Sequence, residues 1–297
     1  MVAYNIPMKL LLHASAASQI DNLVDHPGGT VLLHGIAGVG KYATAREVAR
    51  RLNCEGCTDA SCRSCKMLAS GNHPDVVVLR PDDKNKIGIE SVHELQHTLH
   101  YGQYESASQR VIIIDSADRL TLPAQSALLK TLEEPPAGTT ILLTAPSPST
   151  LLPTVVSRCT LLYLPPVSDG QIADFIATAH PGVNAASIAA LSHGVPGRAV
   201  VYATNPEQAT ADQVVAQEVE SLLQTGGLFE RLQVAARMVA AADQRERYLA
   251  ELVTQARSSA RAAQNPDALD AVEHLLQRLR ANVNPKTAFE ALAVELG

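Results

Sequence analysis

Gly35-Ile36-Ala37-Gly38-Val39-Gly40-Lys41 fits the pattern G-x-x-x-x-G-K. Glycines in such a loop let backbone N–H groups turn inward around an anion, and the lysine reaches the outer phosphates. Gly35, Gly38, Gly40 and Lys41 are therefore candidate phosphate contacts. The bland alternative is a glycine-rich turn between a strand and a helix. Where such loops share magnesium with a nucleotide, the residue after the lysine is Ser or Thr, whose small hydroxyl holds the ion. Here it is Tyr42, whose phenol is too long to put its oxygen there. Further on, Val111-Ile112-Ile113-Ile114-Asp115 reads as an apolar strand ending on a carboxylate suited to organise a metal. Ser116 follows, and it has no useful basicity at neutral pH. The expectation is ATP or ADP held through Lys41 and the loop amides without turnover.

Cys54, Cys57, Cys62 and Cys65 read C-x2-C-x4-C-x2-C. Two close pairs of thiolates can close a tetrahedral site of the kind Zn²⁺ accepts. Without an extracellular context this spacing favours a metal over disulfides. A structural Zn²⁺ is expected, the alternative being four reduced, metal-free thiols. Cys159 lies far off in sequence and reads as a small, buried apolar residue.

These residues need a scaffold, and the apolar patterning supplies one. Short apolar runs at Thr30–His34, Val76–Leu79, Val111–Ile114, Ile141–Thr144 and Leu161–Leu164 predict strands. Helical patterns at 43–52, 89–99 and 123–134 separate them, and this alternation predicts a parallel sheet covered on both faces. After Pro165-Pro166 the strands stop. Ser168 and Gln171 form a capping box ahead of Ile172, Phe175 and Ile176. A short helix carrying Ile188 and Leu191 breaks at Gly194, and from about residue 209 the pattern is helical throughout. One predicted stripe holds Leu228, Leu232, Ala235 and Val239, and another Leu269, Val272, Leu276 and Leu279. Asn284-Pro285 opens a last helix with Phe289 and Leu292.

Composition narrows the class of function. With 46% hydrophobic residues, 3% aromatics and no Trp, the core must be aliphatic. A net charge of −6, with no Lys/Arg cluster, argues against a surface that grips DNA as a whole. No apolar run approaches the roughly 20 residues of a membrane span. The patch at Leu10–Leu12, with one Lys before it, is too short for a signal peptide. A cytoplasmic location is expected.

Further segments are more specific. Leu52-Asn53-Cys54 opens the cysteine module and His73-Pro74-Asp75 follows it. Ala127-Leu128-Leu129-Lys130-Thr131-Leu132-Glu133-Glu134-Pro135-Pro136 comes next, then Leu152-Pro153-Thr154 and Ser157-Arg158-Cys159. Together with the loop they resemble bacterial clamp-loader subunits, the γ/τ and δ′ proteins of DNA polymerase III in the AAA+ superfamily. The likeness covers residues from about 30 to 200.

The resemblance implies an α/β fold: an AAA+ P-loop parallel sheet with an inserted zinc module, a small helical lid and a C-terminal all-α collar. The expected division is 1–165 for the RecA-like α/β domain with its zinc module at 54–65, 166–208 for the lid and 209–297 for the collar. It implies that Asp115 is the Walker B carboxylate, that active relatives carry a Glu at the place of Ser116, and that Arg198 in Gly194-Val195-Pro196-Gly197-Arg198 is the sensor-2 arginine. It further implies that Arg158 is an arginine finger, offered in trans to ATP in a neighbouring subunit. The plain readings are local pairing for either arginine, and a solvated helix face for Lys130, Glu133 and Glu134. No sensor-1 residue can be assigned around Thr144 to Pro146. The cysteine spacing departs from the commonest family pattern, with Cys57 standing in for a ligand usually placed later.

Loss of the Thr and Glu beside a retained Arg158 resembles the δ′ branch, as do the short N-terminus and the lack of a long C-terminal extension. A phosphate loop better preserved than in many δ′ proteins keeps nucleotide binding open. The implied partners are the γ/τ and δ subunits, with the sliding clamp and primer-template DNA reached through the complex, and no membrane. Two rival readings stay open: an ATP-hydrolysing γ/τ-type motor, and a stand-alone zinc- and nucleotide-binding regulator.

Overall fold

Residues 11–54, 56–57, 60–100, 109–224, 227–241, 244–261 and 267–296 are described by a computed structural model. The apolar patch starting at Leu10 therefore lies partly outside them. Among the described residues, no helix is long and apolar enough to cross a membrane. The chain forms two compact units. One runs up to Phe175 and includes Gly194–Arg198; the other holds Ile176–His193 and the residues from Ala199 onward.

The first unit is built on a five-stranded parallel sheet: β1 (Gly29–His34), β2 (Val76–Leu79), β3 (Arg110–Ile114), β4 (Thr139–Ala145) and β5 (Thr160–Tyr163), in the order β2-β3-β4-β1-β5. All five expected strands are present. β3 and β4 are buried along their whole length, because side chains alternate between two covered faces. Ile112 and Ile114 point to one face with Leu32, Ile141 and Leu143. That face is covered by α4 (Ile89–His100) and α5 (Leu122–Glu133), through Val92, Leu95, Leu128 and Leu132. Val111 and Ile113 point to the other, with Val31, Leu33 and Leu142. It is covered by α1 (Ala14–Asp25), α2 (Lys41–Asn53) and α3 (Arg63–Ala69), through Ile20, Val48 and Leu68. Each such aliphatic side chain contributes about 1.5–3 kcal/mol of burial, so a polar residue inside β3 would be costly.

α1 was not expected from the sequence, although Ala16, Ile20 and Leu23 keep a helical spacing, and its N-cap is unusual. The His13 imidazole, in place of Ser, Thr, Asp or Asn, accepts the Ser15 N–H. α6 (Pro153–Val156) and α3 are too short to show a helical period.

α7 (Asp169–Ala179) opens with the expected capping box: Ser168 N–H donates to Gln171 Oε1 at 3.2 Å, and Gln171 N–H to Ser168 Oγ at 3.3 Å. α8 (Ala185–Ser192) and α9 (Pro196–Thr204) follow. The second unit is otherwise α10 (Pro206–Gln224), α11 (Leu228–Ala240), α12 (Arg245–Arg261), α13 (Asp267–Arg280) and α14 (Pro285–Glu295). Phe289 and Leu292 are fully buried in its core, and Asn284 caps α14 by accepting the Lys286 N–H.

Two expected stripes are rotated. On α11 the buried face is Arg231, Val234, Ala235 and Met238, while Leu228 is exposed and Leu232 and Val239 lie at the border. On α13 it is Ala268, Ala271, Val272 and Leu275. α13 packs against both α12 and α14, so its buried face takes in Ala268, Ala271, Val272 and Leu275, while Leu269 and Leu279 lie at the border.

Candidate functional site: a phosphate loop and a cysteine cluster

β1 delivers the chain to the loop at the C-terminal edge of the sheet, beside β4 and β5. Gly38 (φ 79°) and Gly40 (φ 101°) hold left-handed backbone that only glycine takes without strain. A Cβ on Gly38 would come within 2.9 Å of Val195 Cγ1. Gly40 is the N-cap of α2 and supplies no side-chain cap, so the first amides of this 13-residue helix face outward with its positive dipole end. This arrangement suits an anion. Gly35 leads out of β1, and the Lys41 ammonium donates to the carbonyls of Gly35 and Ile36 at 2.7 and 3.0 Å. Burial holds the Lys41 pKa below its ordinary value, against the opposing pull of Asp118 and Asp115. The imidazole of His34 is lowered too, by burial and then by Lys41.

The Gly194–Arg198 segment closes on the loop. Gly197 N–H donates to Gly38 carbonyl at 2.9 Å, and a Cβ on Gly197 would strike that oxygen at 2.7 Å. Arg198 is next along, its amide nitrogen 3.8 Å from where a Cβ on Gly38 would stand. The structure thus brings Gly35, Gly38, Gly40, Lys41 and the backbone at Arg198 together.

Asp115 stands one residue beyond β3. The register pairs Leu79 with Ile114 and Ile114 with Leu143, so Arg80, Asp115 and Thr144 fall in one row across the sheet edge. Thr144 Oγ1 donates to Asp115 Oδ1 at 2.9 Å and accepts the Ser116 N–H at 2.8 Å. Arg80 Nε lies 3.9 Å from Asp115 Oδ2. Ser116 occupies left-handed backbone (φ 57°) and opens the 3-10 turn Ala117–Arg119. Tyr42 turns its ring toward two guanidinium groups, with the Cζ of Arg80 4.5 Å and that of Arg46 6.0 Å from its centroid. A cleft of about 190 Å³ opens beside it, lined also by Ser70 and His73. Reading the sequence missed Arg80 and gave Thr144 no role. The pairing register brings them to Asp115, and one sequence does not print it.

Arg158 forms its hydrogen bonds elsewhere. Its Nε and Nη2 both reach Glu133 Oε2, at 3.0 and 2.9 Å, and Nη1 donates to the Thr154 carbonyl at 3.0 Å. Glu133 remains exposed, as do Lys130 and Glu134. Cys159 is half-buried, and its thiol donates to the Val155 carbonyl; burial pushes its pKa up to about 11.

The four cysteine sulfurs all lie within 4.8 Å of one another, with Cys54–Cys57 at 3.4 Å and Cys57–Cys65 at 3.7 Å. Four thiolates about 2.3 Å from one zinc stand roughly 3.8 Å apart, so the donor set fits that ion. Cys62 caps α3 by accepting the Cys65 N–H, which fixes the second pair. Burial and the three neighbouring thiols push the Cys65 thiol up to about 12, with hydrogen bonding from Arg50 acting the other way. Strong positive charge is what such a cluster needs to ionise.

His73 ties the cysteine module to the sheet. Its Nδ1 accepts the Asp75 N–H at 3.2 Å, so Nε2 carries the proton and donates to Ser64 Oγ at 2.9 Å. Both side chains are buried. His73→Ala is expected to cost about 1–3 kcal/mol, because it leaves the Ser64 hydroxyl buried without this partner. Chemical denaturation reads the loss, and an unchanged midpoint would count against it.

The family model described as "DNA polymerase III, delta subunit" matches residues 17–168. A "DNA polymerase III subunit delta'" of Pseudomonas aeruginosa is 34% identical over 187 residues, 60% of this chain and 56% of the relative. A "DNA polymerase III subunit tau/gamma" of Haemophilus influenzae is 32% identical over 171 residues, 56% of this chain and 24% of the relative. The alignment thus spans little more than half of the first relative and a quarter of the second. Among solved structures, a single-substitution variant of Thermotoga maritima RuvB superposes with a TM-score of 0.52 at 14% identity, over 82% of this chain and 88% of that one, a likeness of fold alone. The matched span runs from α1 to just past β5 and takes in the loop, the cysteine cluster, Asp115 and Arg158, and over that span the chain belongs to the DNA polymerase III delta subunit family.

Proposed function

We propose that this chain is a non-hydrolysing, stator-like δ′-type subunit of the DNA polymerase III clamp loader, which completes a neighbouring subunit's ATP site with Arg158. Identity alone supports a place in the clamp-loader group without choosing a branch, since δ′ and τ/γ relatives match at similar levels. The observation that carries the choice is local. Tyr42 and Ser116 stand where a metal-binding hydroxyl and a water-activating carboxylate would be needed. A serine held in a strained turn, donating its amide to Thr144, is no general base.

In this reading the loop, Lys41 and Arg198 hold ATP or ADP, Asp115 keeps a structural place, and the four cysteines hold Zn²⁺. The zinc supplies no chemistry beyond fixing α3 against the sheet. The 1–165, 166–208 and 209–297 segments serve as nucleotide, lid and collar domains. The partners are γ/τ, δ, the sliding clamp and primer-template DNA, in the cytoplasm where thiols stay reduced.

Steady-state ATP hydrolysis tests this. The isolated chain is expected to be inert, and mixing it with γ/τ and δ to restore clamp-dependent turnover. Magnesium-dependent hydrolysis by the chain alone would favour the γ/τ-type motor. Failure to co-purify with γ/τ and δ would favour the stand-alone regulator.

A further inference from the structure

In a phosphate loop of this class, magnesium is held by a small hydroxyl after the lysine and by the carboxylate ending the neighbouring strand. The residues here do not fit that ion. The hydroxyl's place belongs to Tyr42, whose ring stacks with Arg80 at 4.5 Å. The carboxylate is already shared: Thr144 donates to Oδ1 at 2.9 Å, and the Arg80 guanidinium stands at ion-pair distance, Nε 3.9 Å from Oδ2. A divalent cation would meet the fixed positive charges of Arg80 and Lys41 and find one carboxylate already shared.

We infer that the Arg80 guanidinium replaces the divalent cation, so that this loop takes the phosphates of a nucleotide without magnesium. The inference rests on the nucleotide-binding reading above and says how that site is charged. A guanidinium is permanently cationic and presents a planar fork that matches phosphate oxygens. Tyr42 is the platform beneath it by cation–π contact, and the Asp115 carboxylate lies at ion-pair distance from its Nε. The Arg80 side chain is 56% exposed, so its outer edge faces solvent at the same sheet edge as the loop. Lys41 and the α2 amides supply the rest of the cradle. The tyrosine is then a functional replacement.

Calorimetric titration of the purified full chain with ADP tests this, in buffers with excess magnesium and in metal-depleted buffers free of chelator, so that the cysteine cluster is undisturbed. The expected dissociation constants agree within about twofold. Arg80→Gln is expected to weaken magnesium-free binding by about tenfold or more, with Arg80→Lys recovering only part. The pair Tyr42→Thr with Arg80→Ala is expected to make binding magnesium-dependent; melting curves establish that each variant is folded. Magnesium-requiring binding by the unmodified chain, or Arg80→Gln that binds as before, would overturn the inference and leave the nucleotide site standing. No ADP binding under either condition would remove the nucleotide site, and this inference with it.

Discussion

Arg158→Ala in the assembled clamp loader is expected to slow clamp-dependent ATP turnover by roughly a thousandfold, the lower end of what a trans arginine contributes to phosphoryl transfer. The chain itself should stay folded. Arg158 is paired with Glu133 on a partly exposed surface, and such a pair contributes at most about 1 kcal/mol. The weakness matters for the proposal. A pair this labile holds the guanidinium in place before a neighbour docks and releases it at little cost when a phosphate competes for it. Arg158→Lys should rescue poorly, because an ammonium cannot present two parallel N–H groups to developing charge. Glu133→Gln should keep most of the turnover. Rates are read by steady-state phosphate release, with subunit ratio checked by co-purification. Unchanged turnover in a correctly assembled Arg158→Ala complex would end the arginine-finger reading and leave the family membership untouched.

The second large effect concerns the cysteine cluster. Elemental analysis should find one zinc per purified chain, absent after Cys65→Ser. Loss of the ion leaves four thiols and a short helix with little apolar packing. α3 buries one large aliphatic side chain, Leu68, and is otherwise held by the cluster, the Ser64–His73 bond and the Arg46 donation to the Leu68 carbonyl. A destabilisation of about 4 kcal/mol is expected, at the upper end for one substitution, which lowers the melting temperature by roughly 8–16 °C. Titration with a zinc chelator should give the same downward shift in the unmodified chain and none in Cys65→Ser. A metal-free chain that melts at the same temperature would refute the structural zinc.

The chemistry that was legible in the sequence is chemistry confined to short segments. The residues from Gly35 to Lys41 lie on one turn between a strand and a helix, and the four cysteines lie within 12 consecutive positions. Their local spacing nearly fixes their geometry. The five strands were legible for a related reason: a strand buried on both faces carries a continuous apolar run, and residues 111–114 of β3 and 141–143 of β4 are such runs.

The helical part was less so. A helix packed on two sides has no single stripe. The alanines of α13 and the buried Arg231 of α11 turn the packed faces away from where the leucines alone would put them.

The partners of Asp115 show the limit most clearly. Arg80, Asp115 and Thr144 sit at the ends of three different strands, and nothing local couples them. Sequence determined the phosphate loop, the thiol cluster, the sheet's strands and the loss of the metal-binding hydroxyl. Tertiary structure decided which groups surround Tyr42 and Asp115, because strand order and register bring distant residues into one row. Those are set by the packing of both sheet faces, to which the whole first unit contributes.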